Sequence, residues 1–389
     1  MMLKRVLTES DVLLAGVGYI IGGGIFTLIS LSTKYSKGYT WLTFLISGII
    51  IYLTASSYQY LSPYLTHADS EYNIVKKYLG ETVAMLFNGG IIIATPFITA
   101  TIALGMSYYI SKMTGIKENP VKIGGIIILL AGIINSIGIK ESIQVTNGMT
   151  IIEILALIVI AIVGIVHYNP TELSIPPTKI TNVIKSSFII TFAYMGFEAL
   201  PKLAEETINP QVVIPNAIQN SVIITTILYT LVALSVVSIL GVKNTVSSKT
   251  PLGDIFDKIS GSTFSNLFNI IAMISIGNTV LMSNIAGSRS LYGLSKKEKI
   301  LEPFTYVSPT TNTPVMSIIG VTIMSIIFLC IFKDIELLAK YSNIFTFLIL
   351  ITINIISVMI RKEKENIYDI RGILAVVSIA FYLVYTIFE

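Results

Sequence analysis

The chain has 389 residues, 53% of them hydrophobic and 12% charged, with a formal net charge of +4 and a mean hydropathy of +0.79. A soluble protein of this length would carry about twice that charged fraction, and the small charge, with no long basic block, excludes a nucleic-acid partner. Cys330 stands alone, which excludes an internal disulfide and a thiolate metal cluster.

The apolar residues come in repeated long runs. A helix needs about 20 largely apolar residues to cross a bilayer, and backbone groups in lipid must bond within the segment. The pattern therefore predicts an all-α polytopic membrane protein in contact with the lipid bilayer. Eleven transmembrane helices are expected, the first at 11–31. It follows Lys4 and Arg5, lacks an A-x-A-like cleavage pattern, and is read as a retained span, not a signal peptide. The others are expected at 39–60, 83–110, 121–138, 147–166, 184–204, 216–240, 263–287, 314–332, 336–360 and 370–388. Between them lie breakers such as Ser62-Pro63, Asn119-Pro120, Pro176-Pro177, Asn209-Pro210 and Pro309. His67 and His167 fall on separate loops, so no metal site is expected. With the N-terminus cytoplasmic, Arg5, Arg289, Arg361 and Arg371 and the loop Lys296-Lys297-Glu298-Lys299 all lie on the cytoplasmic side, and Glu389 lies outside.

Two spans are interrupted alike. The first contains Gly16, Gly18 and the triplet Gly22-Gly23-Gly24; the sixth contains Gly196 followed by Pro201. Each interior glycine costs a helix about 1 kcal/mol relative to alanine. Breaks at corresponding positions predict two five-helix halves in inverted repeat, with a binding site near the midplane. Residues 1–166 form the first repeat, 181–362 the second and 363–389 an additional C-terminal span, all in one integrated membrane domain.

At these breaks the chain resembles the amino acid–polyamine–organocation (APC) transporter superfamily. Gly22-Gly23-Gly24-Ile25-Phe26 is similar to that family's first-span motif. Phe192-Ala193-Tyr194-Met195-Gly196-Phe197-Glu198, running on through Glu205-Glu206, Asn209-Pro210 and Pro215, resembles its sixth-span motif. Ser288-Arg289-x-Leu291-Tyr292, Asn135-x-x-Gly138-Ile139-Lys140 and Ser70-Glu71-Tyr72 resemble further motifs, in order along the chain. Many relatives have twelve spans; eleven are counted here. The resemblance implies an amino acid or amine substrate held between the broken first and sixth helices, with Phe192 as a gate over it.

An unwound helix offers both halves of what a zwitterion needs. Its freed N–H groups suit a carboxylate, so the carboxylate is placed against the backbone of Gly22, Gly23, Gly24 and Ile25. The ammonium is placed against carbonyls in the stretch Phe192, Ala193, Tyr194, Met195 and Gly196. Glu153 sits within the apolar fifth span, where an ionisable residue is a functional candidate. Neutral, it would carry a proton; ionised, it would ligate Na+; the alternative is a structural pairing or a place near the membrane edge. Many relatives have a lysine at the matching position. Asn278, Ser283 and Asn284 give the eighth span a polar face that would help hold a cation or bond to other helices. Glu198, a gate candidate, faces the ligand or pairs with Lys202 at i+4. Glu205 and Glu206 make gate contacts or face solvent, and Arg289 is an interfacial anchor or inner-gate partner.

No catalytic constellation, P-loop or cofactor motif is present in the sequence, so no enzyme is expected and a gradient of H+ or another cation is the expected energy source. The leading expectation is a cation-coupled amino acid symporter of the cell membrane, monomeric or homodimeric. An exchanger, a polyamine transporter and a non-transporting amino acid sensor are the alternatives.

Overall fold

The computed structural model describes residues 5, 7–65, 70–115, 118–137, 142–259, 262–311 and 313–388, and within these the side chains other than those of residues 27, 112, 142–145, 202, 205, 206, 262, 263, 265 and 386–388. His67, Gly138, Ile139, Lys140, Glu389 and the side chains of Lys202, Glu205 and Glu206 lie outside this set, and with them the expectations placed on them.

The first span is two helices, α1 (Glu9–Ile20) and α2 (Gly23–Ser36). A capping box starts α1: the Asp11 N–H donates to Thr8 Oγ1 at 3.3 Å and the Thr8 N–H donates to Asp11 Oδ2 at 2.9 Å. The chain then runs through α3 (Thr40–Leu61), α4 (Ser70–Leu79), α5 (Glu81–Thr114), α6 (Pro120–Ile137), α7 (Ser142–Val166) and the short α8 (Pro170–Leu173). The sixth span opens as α9 (Thr181–Thr191) and continues as two 3-10 stretches, Phe192–Tyr194 and Phe197–Glu206. After it come α10 (Pro210–Leu240), α11 (Val242–Ser247), α12 (Pro251–Ile259), α13 (Ser262–Ser295), α14 (Val315–Phe332), α15 (Ile335–Glu365) and α16 (Ile370–Phe388).

The chain is an all-α multi-pass membrane protein. Among the described residues ten helical stretches are long and apolar enough to cross a membrane. The eleventh expected span is α16, whose described apolar part, Ile370–Tyr385, is shorter than the others. The first span breaks at Ile21 and Gly22, while Gly23 and Gly24, expected to unwind with Gly22, are already the first residues of α2. The sixth is broken more extensively than Gly196 and Pro201 alone suggest, because after Thr191 it runs as 3-10 helix on either side of an extended Met195 and a Gly196 with positive φ.

Burial sorts the spans. The apolar window of the sixth is 78% buried and that of the first 67%, against 33% for α6 and for α14. The broken helices therefore form the centre, while α6 and α14 turn isoleucine and leucine toward lipid. Around the centre α3 packs on α10, α5 on α13 and α15, and α6 on α14. At the end carrying the N-terminus, Leu7 makes a parallel bridge with Thr207, and the Ile208 N–H donates to Leu7 O at 2.9 Å. These bonds tie the entry to the first span to the exit from the sixth.

Candidate functional site

The two breaks meet at a cavity of about 100 Å³. Gly22, Gly23 and Gly24 of the first and Phe192, Ala193, Met195 and Gly196 of the second all line it. Two glycines are required here. A Cβ on Gly24 would lie 2.4 Å from Ala193 Cα, so only glycine lets the segments approach this closely. Gly196 has φ +129°, a region that disfavours a side chain, and its own Cβ would lie 2.5 Å from Tyr19 O. The Gly196 N–H donates to Glu198 Oε2 at 2.7 Å, so a carboxylate on the cavity wall also caps the break.

Ile25 and Tyr194, expected to touch the ligand, do not line the cavity. Ile25 is fully buried in the apolar core. Tyr194 is fully buried too, and its hydroxyl donates to Phe44 O on α3 at 2.8 Å. A 3-10 turn rotates about 120° per residue, which takes Tyr194 away from the face its neighbours present.

The polar residues of α13 divide in the same way. Ser283 and Thr279 reach the cavity. Asn284 points outward, where its Oδ1 accepts from Asn135 Nδ2 at 2.8 Å and its Nδ2 donates to Thr322 Oγ1 at 3.0 Å. Asn135 also reaches Ser288 Oγ at 3.3 Å, so residues from two of the sequence motifs join α6, α13 and α14. Asn284→Ala is expected to lower thermal stability by about 1 kcal/mol, in line with interhelical hydrogen bonds in membranes, with no change in the ion requirement for uptake. Arg289, one turn beyond the cavity-lining Ala286, does not line the cavity.

Glu153 lies behind the first break, not on the cavity wall. It is completely buried, with Ser275 and Asn278 of α13 facing it. Neither carboxylate oxygen has a hydrogen-bond partner among the described residues, and the same holds for Ser275 Oγ and Asn278 Nδ2. Thr279, next to Asn278, packs against Gly22, which places the carboxyl group close to the broken segment. An ionised carboxylate in this position is costly; a bound proton or a cation shared with these polar groups would remove the cost. Among the described residues no group of three or more His, Cys, Asp or Glu could hold a metal ion.

Several site features escaped the sequence reading. On α5, Ile91, Thr95, Ile98 and Ile102 line the cavity at helical spacing, as do Thr346, Ile349 and Leu350 on α15. That periodicity was visible, but nothing local separates a cavity face from a packing face. Tyr58 and Glu71 also line it. Two tyrosines hold the break from outside: Tyr229 donates its hydroxyl to Ile20 O and Tyr109 donates to Phe26 O, each at 2.8 Å. Ile20 O is among the last carbonyls of α1, which have no partner within the helix, whereas Phe26 O lies in the first turn of α2. Tyr229→Phe leaves Ile20 O without this donor. It is expected to destabilise the fold by about 1–3 kcal/mol and to weaken ligand binding, both readable in a thermal-shift titration.

A family model described as "Amino acid permease" matches residues 7–389. The chain belongs to the amino acid permease family. The match confirms the resemblance to the APC superfamily, whose members are transporters and not enzymes. This permease is 24% identical over 385 residues to the branched-chain amino acid permease of Bacillus subtilis, an alignment covering 94% of this chain and 83% of the relative. It is 26% identical over 386 residues to the methylthioribose transporter of the same organism, with the same coverage. Cationic amino acid transporter 5 of Arabidopsis thaliana is 24% identical over 376 residues, covering 92% of the permease and 66% of the relative.

Proposed function

We propose that the permease is a secondary transporter moving an amino acid or related amine across the cell membrane by alternating access, driven by H+ or another cation. The observation that carries this reading is the cavity between two broken helices, one wall of which is the start of α2, a helix with no side-chain cap at Gly22. The N–H groups of a helix's first turn have no partner within the helix, and together with the dipole they suit a carboxylate. The ammonium would then meet the carbonyls of Phe192, Ala193 and Met195, with Phe192 as gate. The packing of α3 on α10, α5 on α13 and α6 on α14 pairs the second, third and fourth spans with those five places later. That supports two inverted repeats, 1–166 and 181–362, with 363–389 outside them. The arginine placement supports a cytoplasmic N-terminus.

A cationic substrate is the second reading. Glu71 and Glu198 both line an otherwise mainly apolar cavity and both act electrostatically on Tyr58. Cationic amino acid transporters are among the relatives, as are branched-chain and methylthioribose transporters. Backbone recognition would be common to all substrates bearing both charged groups, with the α5 and α15 faces sorting side chains.

Uptake of labelled amino acids into proteoliposomes under an imposed pH gradient, a sodium gradient or neither tests the proposal. Accumulation under one gradient supports symport and names the ion. Rapid uptake only into preloaded liposomes turns the reading to exchange. Binding without transport under any condition overturns it in favour of a sensor.

A further inference from the structure

Many buried hydroxyls of these helices bond to their own helix backbone. Ser47, Ser56, Thr95, Thr99 and Ser325 each donate to the carbonyl four residues earlier. On α15 itself, Thr352 does so at 2.8 Å to Leu348 O. One face of α15 departs from this. Asn354 and Ser357 are completely buried, yet Asn354 Oδ1 and Ser357 Oγ have no hydrogen-bond partner among the described residues. Arg361 Nε, one turn further, is also unpartnered, as is Ser57 Oγ on α3.

Two contacts fix how α3 and α15 align. Asn354 Nδ2 donates to Thr54 Oγ1 at 3.2 Å, and the Arg361 guanidinium lies 4.2 Å from the centre of the Tyr60 ring. Between these levels Ser57 is three residues beyond Thr54, and Ser357 is three beyond Asn354. The register therefore brings both serines to a common level, in a layer of two very small side chains between helices whose axes ordinarily stand about 8–10 Å apart. Buried polar atoms in native proteins are nearly always satisfied, by protein or by ordered water. A buried water typically makes about three hydrogen bonds, and Thr54, Asn354, Ser57 and Ser357 together supply at least that many partners.

We propose that α3 and α15 enclose a cluster of bound water molecules seated on Ser57, Asn354 and Ser357 and reaching Arg361 Nε. The ligand class is water and not a metal cation: the cluster carries no carboxylate among these groups, and the guanidinium at its end opposes a positive ion. The Arg361 charge is met instead by Asp369, with NH1 at 3.5 Å from Oδ1. The site lies one helical turn from Leu350 on the cavity wall, on a different helix pair from Glu153. Water can exchange hydrogen-bond partners, so these atoms stay satisfied if α15 shifts against α3. That consequence rests on the transport reading, whereas the water site itself does not.

Radiolytic hydroxyl labelling of the purified full chain in lipid nanodiscs, read by mass spectrometry, tests the site. Ile356 and Leu61 are sealed from bulk solvent and do not line the cavity between the broken helices, so only water bound beside them would generate label there. They are expected to be oxidised well above equally sealed side chains elsewhere, such as Val236, and to lose that excess in Asn354→Leu. The double variant Ser57→Ala/Ser357→Ala is expected to melt at a lower temperature than the parent, because it removes groups that hold water. Absence of labelling at these residues in the parent chain overturns the proposal, whatever the melting temperatures. A rise in melting temperature in the double serine variant also overturns it, since that is how dry orphaned hydroxyls respond. Loss of amino acid uptake in the parent chain would count against the transport reading alone.

Discussion

Gly24→Ala is expected to reduce uptake by about tenfold or more, a change of about 1.4 kcal/mol or greater in the relevant free energy, while the protein still inserts and is recovered from the membrane. The added Cβ would sit 2.4 Å from Ala193 Cα and 2.6 Å from Ala193 Cβ. The first of these is backbone, which cannot swing aside as a flexible side chain can. The two broken segments would have to separate, and overpacking of this kind costs about 1–3 kcal/mol in a well-packed interior. Separation would also widen the gap that a small zwitterion must bridge between the start of α2 and the carbonyls of the sixth span. The control is Gly24→Ala combined with Ala193→Gly. It removes the Cβ–Cβ clash but keeps the closer contact with Ala193 Cα, so it is expected to restore little. Uptake per inserted molecule, measured in proteoliposomes alongside ligand affinity, decides the matter. Near-parental uptake in the single variant would mean that the approach of the two segments is not what forms the site.

Glu153→Gln is expected to abolish accumulation against a gradient while leaving exchange between internal and external substrate. The side chain is fully buried, has no hydrogen-bond partner among the described residues, and faces Ser275 and Asn278. An ionisable group inside a membrane span is costly unless it is neutralised or paired, so its charge would be tied to whatever cation it loads and releases. Glutamine keeps the shape and cannot cycle a proton or balance Na+. The variant should also resist heat at least as well as the parent, because glutamine cannot ionise in the buried position. Concentrative uptake that survives in Glu153→Gln with its pH dependence intact would sink the coupling role. A structural place for Glu153 between α7 and α13 would then remain.

The breaks were legible because their causes are local. Three successive glycines weaken a helix wherever they stand, and Gly196 carries a backbone angle that other residues avoid. Glu153 was legible for a related reason: a carboxylate surrounded by isoleucine and leucine in a span stands out against its own neighbours. Tyr194 and Asn284 show the limit. Both lie within one residue of cavity-lining positions, and both were grouped with them. A single step of rotation sends Tyr194 to Phe44 O and Asn284 to Asn135 and Thr322. Tyr229, Tyr109 and Tyr58 offered no signal, since a tyrosine in an apolar helix reads the same whether it packs, anchors or clamps.

The sequence by itself determined that the chain spans a membrane many times, where its helices run and where two of them fail, because apolar length and glycine act over one helix at a time. Only the tertiary structure decided which face of each helix turns inward. In water, an amphipathic helix announces its buried face by contrast with its polar one. In a bilayer, the lipid-facing and protein-facing sides of α5, α10 and α15 are both apolar, so that contrast is lost. The cavity walls on α5 and α15, the tyrosine clamps on Ile20 and Phe26, and the unpartnered polar face between α3 and α15 follow from how the helices are rotated against one another, which depends on contacts between residues far apart in the chain.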